Sequence, residues 1–498
     1  MNYKINGYCL DNEQMKIVLD KSKYLLVVAG AGSGKTLTIL GKIGYLINEI
    51  KIPKEDILCI SFTKEASSSL KKKIMDEFNI DMDVFTFHKL ALEILKKKCI
   101  NYEITSSDTL DSIIHNFIYI KVLSSSKQMS YILKYFKEKY KNKDKYLDYL
   151  DKNNKNIEIL EKLISSFIHL FKCNGYTIEK FNSFLRIIRR NIFTYRHNKL
   201  FLIIVLNIYL EYQDYLKENN EIDFDDMIIK ATTEVINNGI NKKYKYIIID
   251  EYQDSSYIRF RLIREIINYT ESSLMVVGDD FQSIYRFSGC ELDLFLNFGK
   301  YFKNARVMKI SNTYRNSQEL IKIAGNFVMK NRKQIRKRLK SRKHINRPIR
   351  IVYYKNIKKA FLKLILQIYK ETLAPILVLG RNNKDVYMIL NDKEFKLDND
   401  RLVYLKNENI KIRYLTVHKS KGLEEENVIV INLENRLLGF PNKIKDERIL
   451  NLVASKEKYL YAEERRLFYV ALTRTKNYVY LLVPKINESV FIKELNIN

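Results

Sequence analysis

At 498 residues the chain has room for roughly three domains. Its 87 Lys and Arg exceed its 58 Asp and Glu by 29, which suits a polyanionic partner such as nucleic acid; a composition rich in Lys, Ile, Asn and Tyr and without Trp equally suits an A+T-biased coding sequence, so charge alone leaves both readings open. Five scattered cysteines (Cys9, Cys59, Cys99, Cys173, Cys290) with no CxxC pair and no histidine at ligand spacing argue against a zinc site and a disulfide scaffold, and suit a reducing compartment.

The N-terminus, MNYKINGYCLDNEQ, lacks the apolar core of a signal peptide. The longest apolar run, Leu200 to Leu210, is broken by Asn207 and falls short of the roughly 18 residues of a membrane span. The expectation is a soluble cytoplasmic protein with no membrane contact.

Taken in chain order, the first short apolar run, 24–29, leads into AGAGSGKT (29–36) and then a helical pattern, 37–47. Glycines at 30, 32 and 34 let backbone N–H groups wrap phosphate oxygens, and the helix N-terminus adds its dipole. The phosphate-binding set is Ala29, Gly30, Ala31, Gly32, Ser33, Gly34, Lys35 and Thr36. Lys35 reaches the β- and γ-phosphates, and the Thr36 hydroxyl holds Mg²⁺. Ala29 stands where the strict pattern has Gly.

Residues 57–63 form a second strand pattern. From about 95 to 225 the pattern becomes Lys- and Glu-rich with Ile and Leu at helical spacing and almost no Gly or Pro, which predicts an inserted helical subdomain. A third strand, 246–250, ends on DEYQD. Asp250 is then placed as the metal carboxylate, and Glu251 to orient and deprotonate an attacking water. The strand 274–278 runs into GDDFQSIYRFSG, where Gln282 can sense a phosphate and Tyr285 and Phe287 can stack bases. The basic run 330–350 is read as a phosphate-contacting helix or loop, or as a solvated helical face. Further strand patterns at 349–354, 375–380, 427–433 and 478–484 predict a second α/β sheet.

In order along the chain, these residues resemble superfamily 1A DNA helicases of the UvrD/Rep/PcrA type, with QSIYRFSG closest in wording to the helicase IV branch. LDNEQ, ending at Gln14, resembles the adenine-reading Q motif; SFTKEASSSL and TFHKLAL resemble the first DNA-contacting motifs; DFDDMI at Asp223 resembles the re-entry into the first core domain. TYRNS, LGRNN at Arg381, TVHKSKGLEEENVIV and EERRLFYVALTRTKN resemble the motifs of the second core domain.

The resemblance implies two RecA-like P-loop NTPase domains with parallel sheets: 1–94 and 223–305 as domain 1A, 95–222 as a helical 1B-like insertion, and 306–498 as domain 2A. It implies ATP and Mg²⁺ as cofactors. Tyr314 would stack on adenine opposite Gln14, Glu424 would contact the ribose, and Arg315 and Arg474 would act as arginine fingers. Single-stranded DNA would lie on Phe62, Thr86, His88, Tyr285, Phe287, Thr416 and His418. It also implies 3′ to 5′ movement, action at single/double-strand junctions, and a place in DNA repair, recombination or replication.

Two departures stand out. Arg286-Phe287-Ser288 replaces Gly-Trp-Arg, so no arginine contact is carried to position 288. Only about 30 residues separate Arg381 from Tyr414, too few for an accessory 2B domain, which is expected to be absent or vestigial. With only a short tail after the last motif, no fused nuclease is expected. The alternative to a self-sufficient helicase is a motor subunit that drives a partner such as a nuclease.

Overall fold

A computed structural model describes residues 4–5, 7–96, 102–138, 143–391 and 393–495. Cys99 lies outside them. Two sheets organise the chain. The first has six parallel strands in the order Arg306–Ile310, Tyr24–Ala29, Ser273–Gly278, Tyr246–Ile249, Ile57–Ser61, Asp83–Thr86. Its four central strands are the continuous apolar runs, because helices cover both faces of the sheet and every inward position on either side must be apolar. One face packs on Leu58, Ile60, Ile247 and Ile249 and the other on Val27, Ile57, Cys59 and Ile248.

The two edge strands escape a search for such runs. Arg306–Ile310 buries only Ile310 fully, and Asp83–Thr86 alternates buried and half-buried residues. Since Arg306–Ile310 pairs with Tyr24–Ala29, a second domain beginning at residue 306 cuts through the first sheet; the crossover to the second sheet follows Ile310.

The second sheet runs Ile349–Tyr354, Thr475–Pro484, Glu425–Val430, Ile376–Gly380, Ile412–Thr416, Arg401–Tyr404, Phe395–Asp398. Its first five strands are parallel; Arg401–Tyr404 runs antiparallel to both of its neighbours, so Phe395–Asp398 points the same way as the first five. The segment between Arg381 and Tyr414, expected to be too short for an accessory domain, holds a short helical turn, Asn383–Met388, and this antiparallel pair.

Between the first and second parts of the first sheet, helices Thr109–Tyr119, Ser126–Tyr135, Lys143–Lys152, Asn154–Cys173, Lys180–Ile188 and Ile192–Glu218 pack around their own apolar core. A short parallel pairing of Glu103–Ile104 with Glu221–Ile222 joins the chain where it leaves and returns. Ile449 and Val453, from the long connection after Glu425–Val430, insert into the same core, and Asn174 Nδ2 donates to the Val453 carbonyl at 2.8 Å. The insertion therefore touches both halves of the chain. Among the described residues no helix is long and apolar enough to cross a membrane.

The basic run 330–350 is neither a helix nor a free solvated face: its first part is turns and loop, and its last two residues open the strand Ile349–Tyr354. Lys337 is buried against Asp279 and Asp280, with its ammonium 3.8 Å from the Phe281 ring centroid. Gln334 donates to Asp280 at 2.6 Å, and Lys343 donates to the Lys476 carbonyl at 2.8 Å. Lys337 and Lys343 thus fasten the segment that links the two sheets, while Arg332, Lys333, Arg336, Arg338, Lys340, Arg342 and Arg347 stay exposed.

Candidate nucleotide and nucleic-acid site

The carboxyl ends of both sheets face one cleft of about 1000 Å³. Ends of parallel strands gather loops and helix N-termini, which is where α/β sheets hold ligands. Tyr24–Ala29 delivers the glycine loop and the helix Lys35–Asn48 begins directly after it, with Gly34 in the left-handed region (φ 77°). Gly32 is also left-handed (φ 68°), and a Cβ there would lie 2.4 Å from Arg315 Cβ. Ala29 and Ala31 are buried, while Gly32, Ser33, Gly34, Lys35 and Thr36 line the cleft. A Cβ on Gly30 would meet the Leu339 side chain at 2.6 Å.

The segment after Arg306–Ile310 clamps this loop. Thr313 Oγ1 donates to the Ala31 carbonyl at 2.7 Å and Tyr314 N–H to the Gly32 carbonyl at 2.9 Å. The Tyr314 ring stays 60 % exposed, and its hydroxyl donates to Asp11 at 2.8 Å. Asp11 also caps the helix Asn12–Val18 and accepts from Asn312 at 2.9 Å. Gln14 is fully buried: its amide oxygen accepts the Asp11 N–H at 3.0 Å and its nitrogen donates to the Ser33 carbonyl at 3.3 Å. Both ends of that amide are thus engaged within the protein, beside the ring of Tyr314.

Tyr246–Ile249 delivers Asp250 and Glu251 to the cleft, with Glu251 itself in the left-handed region (φ 52°). Lys35 pairs with Glu251. Burial, reinforced by the adjacent Glu251 charge, pushes Asp250 up to about 6. Burial acts on Glu251 in the same sense, but Lys35 and Lys421 outweigh it and hold this carboxyl low. The pair thus splits into one carboxyl that ionises reluctantly and one that stays ionised.

Several links cross from the second sheet. Arg474 is buried; its Nη2 donates to Gln282 Oε1 at 3.1 Å, while Nε and Nη1 donate to the carbonyls of Val470 and Leu423, each at 3.1 Å. Burial, with Arg315 nearby, lowers this guanidinium to about 9. Gln282 Nε2 in turn donates to Asp279 at 2.7 Å. Lys421, from the turn after Ile412–Thr416, pairs with Asp254, donates to the Gln282 carbonyl at 2.7 Å, and lies 4.9 Å from the Tyr285 ring centroid. Arg315 donates to Glu424 at 2.5 Å.

Asp254 is pushed up to about 6 by burial, against the pull of Lys421. Neither Lys421 nor Asp11 was singled out from the sequence. Lys421 sat in plain view within KSKGLE, and a lysine directly before the left-handed Gly422 was the available signal.

The residues expected to meet DNA form two groups. Tyr285, Phe287 and His418 converge, with Phe287 to His418 at 5.6 Å between ring centroids and the Tyr285 hydroxyl donating to the His418 carbonyl at 3.1 Å. Phe287 is 59 % exposed. Phe62 and His88 belong to the first sheet's side; the Arg259 guanidinium lies 4.6 Å from the Phe62 ring centroid, and His88 meets the exposed Phe224 edge-on at 5.0 Å. Arg259 and Phe224 were also missed, since neither lies in a motif read as DNA-contacting.

Thr86 and Thr416 are buried and accept the N–H of Lys89 (3.2 Å) and Lys419 (3.4 Å), so in this structure their hydroxyls cap turns. Burial lowers His88 and His418 to about 4, so both imidazoles are neutral at pH 7. Arg286, the departure from Gly, reaches across to the second sheet's side: its N–H and Nε donate to Glu463 at 3.0 and 3.2 Å, and it pairs with Asp446.

Comparison with known proteins agrees with this geometry. The sequence model described as the UvrD/REP helicase N-terminal domain matches residues 10–303, and the UvrD-like helicase C-terminal domain matches 389–485. The chain is 27 % identical to DNA helicase IV of Escherichia coli over 98 % of its own length and 70 % of the relative's. It is 29 % identical to the ATP-dependent DNA helicase Rep of Buchnera aphidicola over 70 % of its length, and it spans about half (49 %) of that relative. A probable DNA helicase of Mycoplasma pneumoniae is 27 % identical over 95 % of this chain and 83 % of its own. One parallel and one largely parallel sheet facing one cleft, with the N-terminal match covering more than half of the sequence, lead to one conclusion: the chain belongs to the UvrD/REP helicase family.

Proposed function

We propose that the chain is an ATP-driven motor that moves 3′ to 5′ along single-stranded DNA and opens duplex at single/double-strand junctions. The observation that carries this reading is the Arg474–Gln282 contact, a buried guanidinium from one sheet bonded to an amide at the phosphate end of the other. Any ligand that changes the spacing of the two sheets must remake it. The relatives named DNA helicases, one of them ATP-dependent, support the substrate and the fuel.

Lys35 and Glu251 neutralise each other in this structure. When triphosphate enters, Lys35 would turn to the β- and γ-phosphates, and Glu251, released from its ammonium, would become the stronger base for the attacking water. Arg315 and Arg474 would then close on the γ-phosphate, each with a fork of donors suited to its oxygens. Gln282 would relay that closure to Tyr285 and Phe287, which begin three residues further on. Tyr314 and Gln14 would hold the base, and Glu424, freed from Arg315, the ribose.

The hydroxyl of Thr36 and the carboxyl of Asp250 are hard oxygen donors that fit magnesium. Among the described residues no lysine or arginine pairs directly with Asp250, so a buried carboxyl is left for a cation to neutralise. When bound, magnesium neutralises phosphate charge as it develops. Stacking on Phe62, Tyr285 and Phe287 is indifferent to sequence, as a translocating grip requires.

The test is ATP turnover with and without single-stranded DNA, followed by unwinding of duplexes with a 3′ or a 5′ tail. Turnover indifferent to DNA, or intact in Glu251→Gln, would sink the motor; a preference for 5′ tails would overturn only the direction. The antiparallel pair Phe395–Tyr404 in place of an accessory domain favours a second reading, a motor subunit whose unwinding depends on a partner such as a nuclease. Unwinding by the isolated chain at the rate of its translocation would exclude it.

A further inference from the structure

His169 and Cys173 stand four residues apart on the helix Asn154–Cys173, so both side chains project from one face. The expectation that no histidine lies at ligand spacing from a cysteine is thereby corrected. Asp225, from the first turn of the helix Phe224–Asn238, completes a group whose ligand atoms all lie within 4.8 Å of one another. His169 Nδ1 is 2.9 Å from Asp225 Oδ2 and 3.9 Å from Cys173 Sγ, and Sγ is 3.6 Å from Asp225 Oδ1.

Zinc bonds of about 2.3 Å to sulfur and about 2.0 to 2.2 Å to nitrogen and oxygen, at tetrahedral angles, put ligand atoms about 3.3 to 3.6 Å apart. The His169 Nδ1–Asp225 Oδ2 separation is about 0.4 Å short of such an edge and Cys173 Sγ is 3.6 Å from the other carboxylate oxygen, Oδ1, so a small rotation of the carboxylate brings one atom of each residue to a corner of one tetrahedron. We infer that His169, Cys173 and Asp225 form a binding site for a divalent transition metal of the zinc class, separate from the phosphate site.

The ligand charges suit a dication, although the Arg259 guanidinium also bears on all three groups. A thiolate and a carboxylate neutralise a dication, and a neutral imidazole completes a mixed N, O, S set of the kind zinc takes. The nearest lysine on the same helix, Lys172, is already committed to Asp223 and Asp226. His169 is 42 % exposed along its side chain, which leaves an entry path and room for a fourth ligand. The Ser288 carbonyl lies 3.8 Å from the same sulfur.

Position suggests what the ion would do. Gly289 packs so closely on Cys173 that a Cβ there would lie 2.4 Å from Cys173 Cβ. The site therefore ties the helical insertion to the helix Phe224–Asn238 directly beneath the segment carrying Phe287. Its role is that of a staple with three protein ligands and one open position, and its existence does not depend on the motor reading.

The test uses the full chain, freed of tag and chelator and then titrated with cobalt(II) or zinc. One equivalent is expected to bind, and cobalt should give the intense visible bands of a tetrahedral ion together with a thiolate charge-transfer band. Cys173→Ser should abolish the charge-transfer band and His169→Ala should weaken loading, while Cys9→Ser, at an exposed thiol, should change neither. Circular dichroism would establish that each variant is folded. Absence of the band in the wild-type chain, its survival in Cys173→Ser, or its loss in Cys9→Ser overturns the site, and the wild-type result decides the matter even if a variant fails to fold.

Discussion

Asp250→Asn should make the nucleotide-free chain more stable while abolishing hydrolysis. Asp250 is raised from its ordinary 3.8 to about 6, chiefly by burial and then by Glu251. At about 1.36 kcal/mol per tenfold change in proton affinity, its ionised form costs the folded chain on the order of a few kcal/mol. The sign follows from the raised value: the folded chain binds this proton more tightly than the unfolded chain, so the group favours folding below 3.8 and that contribution is lost as pH rises through about 6.

Asn keeps the shape and does not ionise. For units of 150 to 250 residues, about 2 to 4 °C per kcal/mol converts the difference into a rise of several degrees in the unfolding midpoint near pH 7. Differential scanning calorimetry at matched scan rate, without nucleotide or divalent ions, reads it directly. The gap should close as pH falls below 3.8, where Asp250 is protonated in the folded and the unfolded chain alike. A midpoint at or below wild type near pH 7, or a gap independent of pH, would refute the argument that Asp250 is held ready for a cation at the expense of stability.

Three other substitutions probe the cleft and its grip. Gly32→Ala combines a left-handed backbone with a Cβ 2.4 Å from Arg315 Cβ, so ATP turnover should fall by more than about tenfold; an unimpaired variant would mean the loop and the 313–315 segment are not clamped as described. Lys421→Met leaves Asp254 buried without its cation and removes the donor to Gln282, so stimulation of ATP turnover by single-stranded DNA should drop at least about tenfold, more than any change in KM for ATP. An unchanged stimulation ratio would remove Lys421 from the coupling. Phe287→Ala should weaken single-strand binding by about 1 to 3 kcal/mol without altering its dependence on salt, since a ring and not a charge is lost; fluorescence anisotropy across a salt series measures both.

The nucleotide loop, the DEYQD strand end and the two-sheet architecture were legible because each rests on a local rule. A buried parallel strand reads as an unbroken apolar run, and phosphate binding needs glycines and a helix N-terminus at fixed offsets. The chain's 29 excess positive charges did not disclose where they act: part of the basic run 330–350 is buried in structural bonds, as Lys337 against Asp279 and Asp280 shows.

Only the tertiary structure decided which distant residues meet. Edge strands such as Arg306–Ile310 have one solvated side and so lack the apolar run, and the domain boundary moved with it. The Arg474–Gln282 and Lys421–Asp254 contacts, the insertion of Ile449 into the helical core, and the grouping of Asp225 with His169 and Cys173 join segments at least 52 residues apart. A sequence shows local periodicity and local chemistry; which partners desolvate one another is set by how the two sheets and the inserted helices pack.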